Sequence, residues 1–112
     1  MKNISVVIPA YNEEGNVGEL VNRIDAAFNE LQDYDYKIIF VENGSTDNTF
    51  EKLMALQKLN ARIQIIKLSR NFKMDGGIAA GLEQVDSEAA IIMTANLQDD
   101  PAIIPDFIKL WE

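Results

Sequence analysis

Four short apolar runs, each followed by a stretch of different periodicity, constrain this chain more than any other feature. The runs are ISVVIP (4–9), YKIIFV (36–41), IQIIKL (63–68) and the segment 89–93. They are rich in β-branched residues and lack clean apolar–polar alternation, as strands buried on both faces do. After the first, Val17, Leu20, Val21, Ile24, Phe28 and Leu31 recur at three- and four-residue spacing, which predicts an amphipathic helix over 14–32. A second helix is expected from about 48 to 59, with Phe50, Leu53, Met54 and Leu59 inward. A shorter one carries Ile78, Ala79, Leu82 and Val85, and a last one opens with Asp100 as cap and Pro101 or Pro105 at a first helical position.

Alternation of this kind predicts an α/β fold, a parallel sheet with helices on both faces. Right-handed crossovers then bring all the strand carboxyl ends to one edge, where ligands of such sheets bind. The segments at that edge are AYNEE, ENGSTD, SRNF and TANLQDD, more polar than turns alone require. A binding site is therefore expected there from topology. With 112 residues the chain suffices for one core and not for two.

Composition narrows the ligand. There is no cysteine and no histidine, so a divalent ion would have to be held by oxygen, which favours magnesium, manganese or calcium over zinc. The net charge of −8 argues against nucleic acid as a partner. No apolar stretch approaches the roughly 20 residues of a membrane span, and MKNISVVIPAYNEE turns acidic too soon for a signal peptide. A cytoplasmic location is expected.

Three nucleotide or phosphate folds fail on specific residues. AYNEEGNVG has glycines only at 15 and 18, not the G-x-G-x-x-G of a dinucleotide fold, and no G-K-S/T of a phosphate loop occurs. A phosphate-accepting receiver domain would place paired acids where Ile8, Pro9 and Ala10 stand.

SVVIPAYNEEGNV, VENGSTDNT, LSRNF followed by AAGL, and IIMTANLQDDPAIIP follow one another in an order and spacing that resemble the inverting family-2 glycosyltransferases. The closest likeness is to the dolichyl-phosphate mannosyltransferases and the bacterial polyprenyl-phosphate glucosyltransferases. It covers essentially the whole chain and implies a GT-A, Rossmann-like fold whose N-terminal half binds the nucleotide of UDP-glucose or GDP-mannose. On this likeness Pro9, Tyr11 and Glu13 line base and ribose. A tyrosine ring offers a stacking face and a carboxylate accepts from ribose hydroxyls. The blander reading is that Pro9 to Tyr11 merely end a strand and Glu13 and Glu14 charge a helix N-terminus.

Glu42 and Asn43 stand where the family usually has two aspartates, one of them reading the base. Gly44, Ser45, Thr46 and Asp47 match the family pattern and also suit a turn and helix cap. Arg70 and Asn71 match too, and a cation at Arg70 or Lys73 would face a diphosphate or else pair with acids such as Asp75. In TANLQ the family pattern is aspartate-alanine-aspartate-leucine-glutamine, which holds a divalent metal on the donor diphosphate. Ala95, Leu97 and Gln98 match, while Thr94 and Asn96 replace both acids. Asn96 and Gln98 remain as weak ligands and Asp99 or Asp100 could step in, though capping the next helix is the blander role for Asp100; affinity for magnesium or manganese is expected to fall.

The leading expectation is a glycosyltransferase moving a hexose from a nucleotide-diphosphate sugar to a polyprenyl phosphate or other glycan acceptor. Residues 1–112 would be its N-terminal donor-binding part, inactive alone, with catalytic and acceptor residues further along and the full-length protein at the cytoplasmic face of the membrane. The apolar Phe107, Leu110 and Trp111 face predicts a homo-oligomer. A second hypothesis is a nucleotide-sugar-binding module with impaired transfer, motivated by the replaced acids. A third is a plain interaction domain, which would bind no nucleotide.

Overall fold

The strands pair as the apolar runs predict, with ends shifted by one or two residues. A computed structural model describes residues 2–31, 33–69, 81–82, 85, 87–96 and 101–112. Strand β1 (Lys2–Ala10) is followed by α1 (Val17–Asn29), β2 (Tyr34–Glu42), α2 (Thr49–Leu59), β3 (Ile63–Lys67) and β4 (Ala89–Ile92). A 3₁₀ turn at Pro101–Ile103 then leads into α3 (Ile104–Trp111). Pro101 thus opens the turn and Pro105 sits in the first turn of α3. The expected cap Asp100 and the helix around Ile78 and Ala79 fall outside the described residues, and Val85 is not helical.

All pairings are parallel, in the order β3-β2-β1-β4. The chain steps outward from β1 through β2 to β3 and then returns to the far side of β1. Right-handed crossovers running in opposite directions lie on opposite faces of a sheet. One face accordingly packs Ile4, Val6, Ile8, Ile38 and Phe40 against Leu20 and Ile24 of α1, Leu53 of α2 and Ile104 and Ile108 of α3. The other presents Val7, Ile39 and Val41, with Ile66, Leu68 and Val85 packed on them. Gly81, helical and buried, lies on this second face.

The inward stripe of α1 is Val17, Leu20, Val21, Ile24, Ala27 and Phe28, as its spacing predicts. The stripe expected for α2 is partly wrong. Only Thr49 and Leu53 are buried, Leu56 is partly so, and Met54 and Leu59 point to solvent, Leu59 being 88% exposed. The reason is position: α2 covers β3, a short edge strand that offers apolar contact to a narrow stripe.

Side chains tie the amino end of β2 to α1 and to Arg62, just ahead of β3. The ring of Tyr36 stacks on Phe28 at 4.1 Å, with the Arg62 guanidinium 4.2 Å from its other face. Its hydroxyl donates to Asp25 Oδ1 at 2.5 Å. Burial and that carboxylate push the Tyr36 phenol well above its ordinary value. Arg62 also pairs with Asp35, whose carboxyl it holds below the usual range.

Candidate functional site

Two loops meet at the carboxyl edge of the sheet, one after β1 and one after β2. Pro9 and Ala10 end β1 beside Val41 and Glu42. A proline inside a central strand would ordinarily remove a ladder bond. Here it does not, because alternate residues of β1 turn to alternate neighbours. Met93 N–H donates to Val7 O at 3.0 Å on the β4 side, while Asn43 N–H donates to Ala10 O at 2.8 Å on the β2 side. Pro9 therefore faces the β4 side, beyond the Val7–Ile92 pair where that ladder ends. The two strands part at this point, the topological switch point at which α/β sheets bind ligands.

Tyr11 stands at the rim, 40% exposed, and Asn12 turns the chain in the left-handed region at φ 53°. The first loop is then bonded to the second at each step. Asn12 N–H donates to Ser45 Oγ at 2.9 Å, Glu13 N–H to Thr49 Oγ1 at 2.9 Å, and Glu14 N–H to Asp47 Oδ2 at 3.4 Å. In return the Asn12 side-chain oxygen Oδ1 accepts from Thr46 N–H at 2.8 Å and Asp47 N–H at 3.3 Å. Glu13 receives the Asn16 amide on Oε2 at 2.7 Å, which sets its carboxylate near the entrance to α1.

Glu42 and Asn43 are buried, at 1% and 3% exposure. Glu42 Oε1 accepts from Ser45 N–H at 2.7 Å, closing a turn in which Gly44 takes φ 75°. The carboxylate therefore has a structural task in addition to any contact with a ligand. Asp47, rather than the N-cap residue Asn48, serves the start of α2: its Oδ1 accepts from Thr49 N–H at 2.9 Å and from the Thr49 hydroxyl. Burial alone would raise the Asp47 carboxyl, but the donors of Thr49 and Glu14 hold it below its ordinary 3.8.

This depressed value fixes the sign of a pH effect. The contribution of Asp47 to the corner is complete above the ordinary carboxylate range and is lost as pH falls through the lower folded-state value. Titrating the Glu14 and Thr49 amide resonances should give a midpoint below 3.8, absent in Asp47→Asn. A midpoint at or above that value would contradict the assigned bonds.

The fourth loop follows β4. Ala95 is buried in the main core, so only its main chain could face a ligand. Asn96 is exposed, and Thr94 Oγ1 donates to Asn96 Oδ1 at 2.8 Å. The two positions that carry acids in the family pattern thus hydrogen-bond to each other. Among the described residues no three acidic side chains converge as metal ligands would. Arg70, Lys73 and Gln98 lie outside the described residues. Among the described residues of this loop, Thr94 and Asn96 offer no carboxylate to magnesium or manganese.

Sequence reasoning singled out Pro9, Tyr11, Glu13, Glu42, Asn43, Gly44 and Ser45, which the fold gathers at one corner. It passed over Asn12 and Thr49, which join the two loops. A signal for Asn12 existed: an asparagine directly after a strand end is the side chain best suited to the left-handed region.

The parallel sheet with its polar carboxyl edge is an α/β architecture of the GT-A type. The family model for glycosyl transferase family 2 matches residues 5–112, and the chain belongs to that family. It is 38% identical over 109 residues to CsbB of Bacillus subtilis (strain 168), which carries a provisional glycosyltransferase name, covering 97% of this chain and 33% of that protein. It is 35% identical over 113 residues to the undecaprenyl-phosphate 4-deoxy-4-formamido-L-arabinose transferase of Pseudomonas syringae pv. syringae (strain B728a), covering 100% of this chain and 33% of that protein. The chain therefore spans about a third of the length of these curated relatives. Among solved structures, the mannosyltransferase PcManGT from Pyrobaculum calidifontis, in complex with GDP-Man and Mn2+, superimposes with a TM-score of 0.73. At 19% identity, over 83% of this chain and 27% of that one, the likeness is one of fold.

Proposed function

We propose that this chain is the donor-binding part of a glycosyltransferase that moves a hexose from a nucleotide-diphosphate sugar to a polyprenyl phosphate or related glycan acceptor. The observation that carries the reading is the corner itself. Tyr11, Glu13, Glu42 and Asn43 arise from two loops joined by side-chain bonds at the carboxyl edge of the sheet. The aromatic face of Tyr11 suits a base and the Glu13 carboxylate suits ribose hydroxyls. Transfer is a single displacement: an acceptor oxygen forms the new bond to the anomeric carbon as the nucleoside diphosphate leaves with the electrons of the old one. Positioning and neutralisation of the departing charge are what the protein contributes.

The acceptor class rests on the undecaprenyl-phosphate relative, and its membrane-linked substrate supports a place at the cytoplasmic face of the membrane. Among the described residues no helix is long and apolar enough to cross one. The rival reading, a binding module with impaired transfer, gains no support from relatives that carry transferase names. For the metal, the neutral Thr94–Asn96 pair favours donor binding with little dependence on magnesium or manganese.

Adding UDP or GDP at up to millimolar concentration should shift the backbone resonances of Tyr11, Glu13, Glu42 and Asn43 and leave the outer faces of α1 and α2 unchanged. Silence toward both nucleotides in a folded sample would sink the donor-site reading.

Self-association is part of the same proposal. β4 is the last strand on its side of the described sheet, and a cleft of about 330 Å³ lies between it and Phe107, Ile108 and Trp111 of α3. Phe107 and Leu110 are 50% and 84% exposed. Apolar surface along a strand edge invites pairing. Light scattering of the 112-residue chain should give a dimer or larger species, shifted toward monomer by Phe107→Asp; a clean monomer at high concentration would contradict this.

A further inference from the structure

We infer that Asn12 is a positioning residue of the donor site, one that sets where Tyr11 and Glu13 stand relative to Glu42 and Asn43. The inference rests on the donor-site reading above and goes beyond it, because Asn12 need not touch the ligand at all.

The two loops that form the corner come from different strands and share one main-chain bond at the sheet edge, from Asn43 N–H to Ala10 O. Beyond that bond they are held together by side chains, and Asn12 is the centre of them. Its main-chain N–H goes to Ser45 Oγ, and its side-chain oxygen Oδ1 accepts from the main-chain amides of Thr46 and Asp47. Its Nδ2 donates to Thr46 Oγ1 at 3.2 Å, and the Thr46 hydroxyl lies 3.3 Å from Asn12 Oδ1. One side chain thereby replaces the next rung of a β-ladder where the ladder has ended.

The backbone at φ 53° is the other half of the device. A left-handed residue reverses the direction of the chain within one step, which puts Tyr11 at the rim and Glu13 at the entrance to α1. Asparagine enters this region at low cost while keeping an amide side chain to make the bonds; glycine enters it with none. Asn12 therefore combines two properties that can be separated by substitution.

Asn12→Gly keeps the turn and removes the tether. Asn12→Asp keeps the turn and the accepting oxygens. Tyr36→Phe, at the opposite edge, removes the bond to Asp25 and serves as a stability control remote from the site. The measurements are affinity for UDP and GDP by resonance titration and amide hydrogen exchange of Thr46 and Asp47 without ligand. Expected are faster exchange at both amides and about tenfold weaker nucleotide binding in Asn12→Gly. Asn12→Asp should bind within about threefold of the parent, and Tyr36→Phe should bind like the parent even where its unfolding midpoint is lower. Unchanged exchange in Asn12→Gly would overturn the tether, whatever the nucleotide does. Altered exchange with unaltered affinity would overturn the positioning role. If the parent binds neither nucleotide, the donor-site reading fails, and the role of Asn12 toward a nucleotide fails with it while the tether is still read by exchange.

Discussion

Replacing Thr94 and Asn96 together by aspartate is expected to make nucleotide binding depend on magnesium or manganese, with little dependence expected of the parent protein. In the parent the Thr94 hydroxyl donates to the Asn96 side-chain carbonyl oxygen. Two carboxylates at the same positions would repel each other and also repel a diphosphate, so without metal the variant should bind more weakly than the parent. With metal the sign reverses, because a hard cation prefers anionic oxygen and bridges it to phosphate. Where water is partly excluded the swing should reach a few kcal/mol, or on the order of a hundredfold in affinity. Titrating nucleotide into both forms, with metal and with chelator, reads the effect directly. A parent protein that already needs metal for tight binding would show that other groups have taken over, and the neutral-pair argument would be wrong.

The second large effect concerns stability and a single glycine. A Cβ added at Gly81 would lie 2.4 Å from Val7 Cγ1 and 3.0 Å from Val41 Cγ2. Both valines are fully buried, and β-branched side chains in a packed strand have no alternative rotamer to take up. Gly81→Ala should therefore lose about 1–3 kcal/mol through overpacking, more than its gain in helix propensity returns, and Gly81→Val more still. The other described glycines provide controls of different sign. Nothing lies within 4 Å of a Cβ at Gly15, so Gly15→Ala should change stability by less than about 0.5 kcal/mol. Gly18 is within α1 and a Cβ there would meet Lys52 Cε at an ordinary 3.8 Å, so Gly18→Ala should stabilise by about 0.4–1 kcal/mol. Urea unfolding of the four variants tests the set; a neutral Gly81→Ala would mean that the helix stands further off the sheet than described.

These two sites also mark what was legible before any coordinates. The alternation of apolar runs with helical spacing determined the α/β class, the strand positions to within a residue or two, and the polar carboxyl edge as the place to look. These are local properties: a period of two or of 3.6 is written in residues that are neighbours in the chain. The motifs around Tyr11, Glu42 and Thr94 implied a donor site through their resemblance to the family-2 glycosyltransferases.

Tertiary structure decided the rest, because it depends on which distant segments meet. That Pro9 sits harmlessly in a central strand follows from the end of the β4 ladder beside it. That Ala95 belongs to the core, and Met54 and Leu59 to the surface, follows from what packs against α3 and from how little of β3 lies beneath α2. Glu42 became the acceptor of a turn because Ser45 folds back on it, and Asn12 became the joint between two loops because residues 33 to 35 positions away arrive within hydrogen-bond reach. No periodicity encodes those meetings; they are fixed by the register of β1 on β2, which only the packed sheet selects.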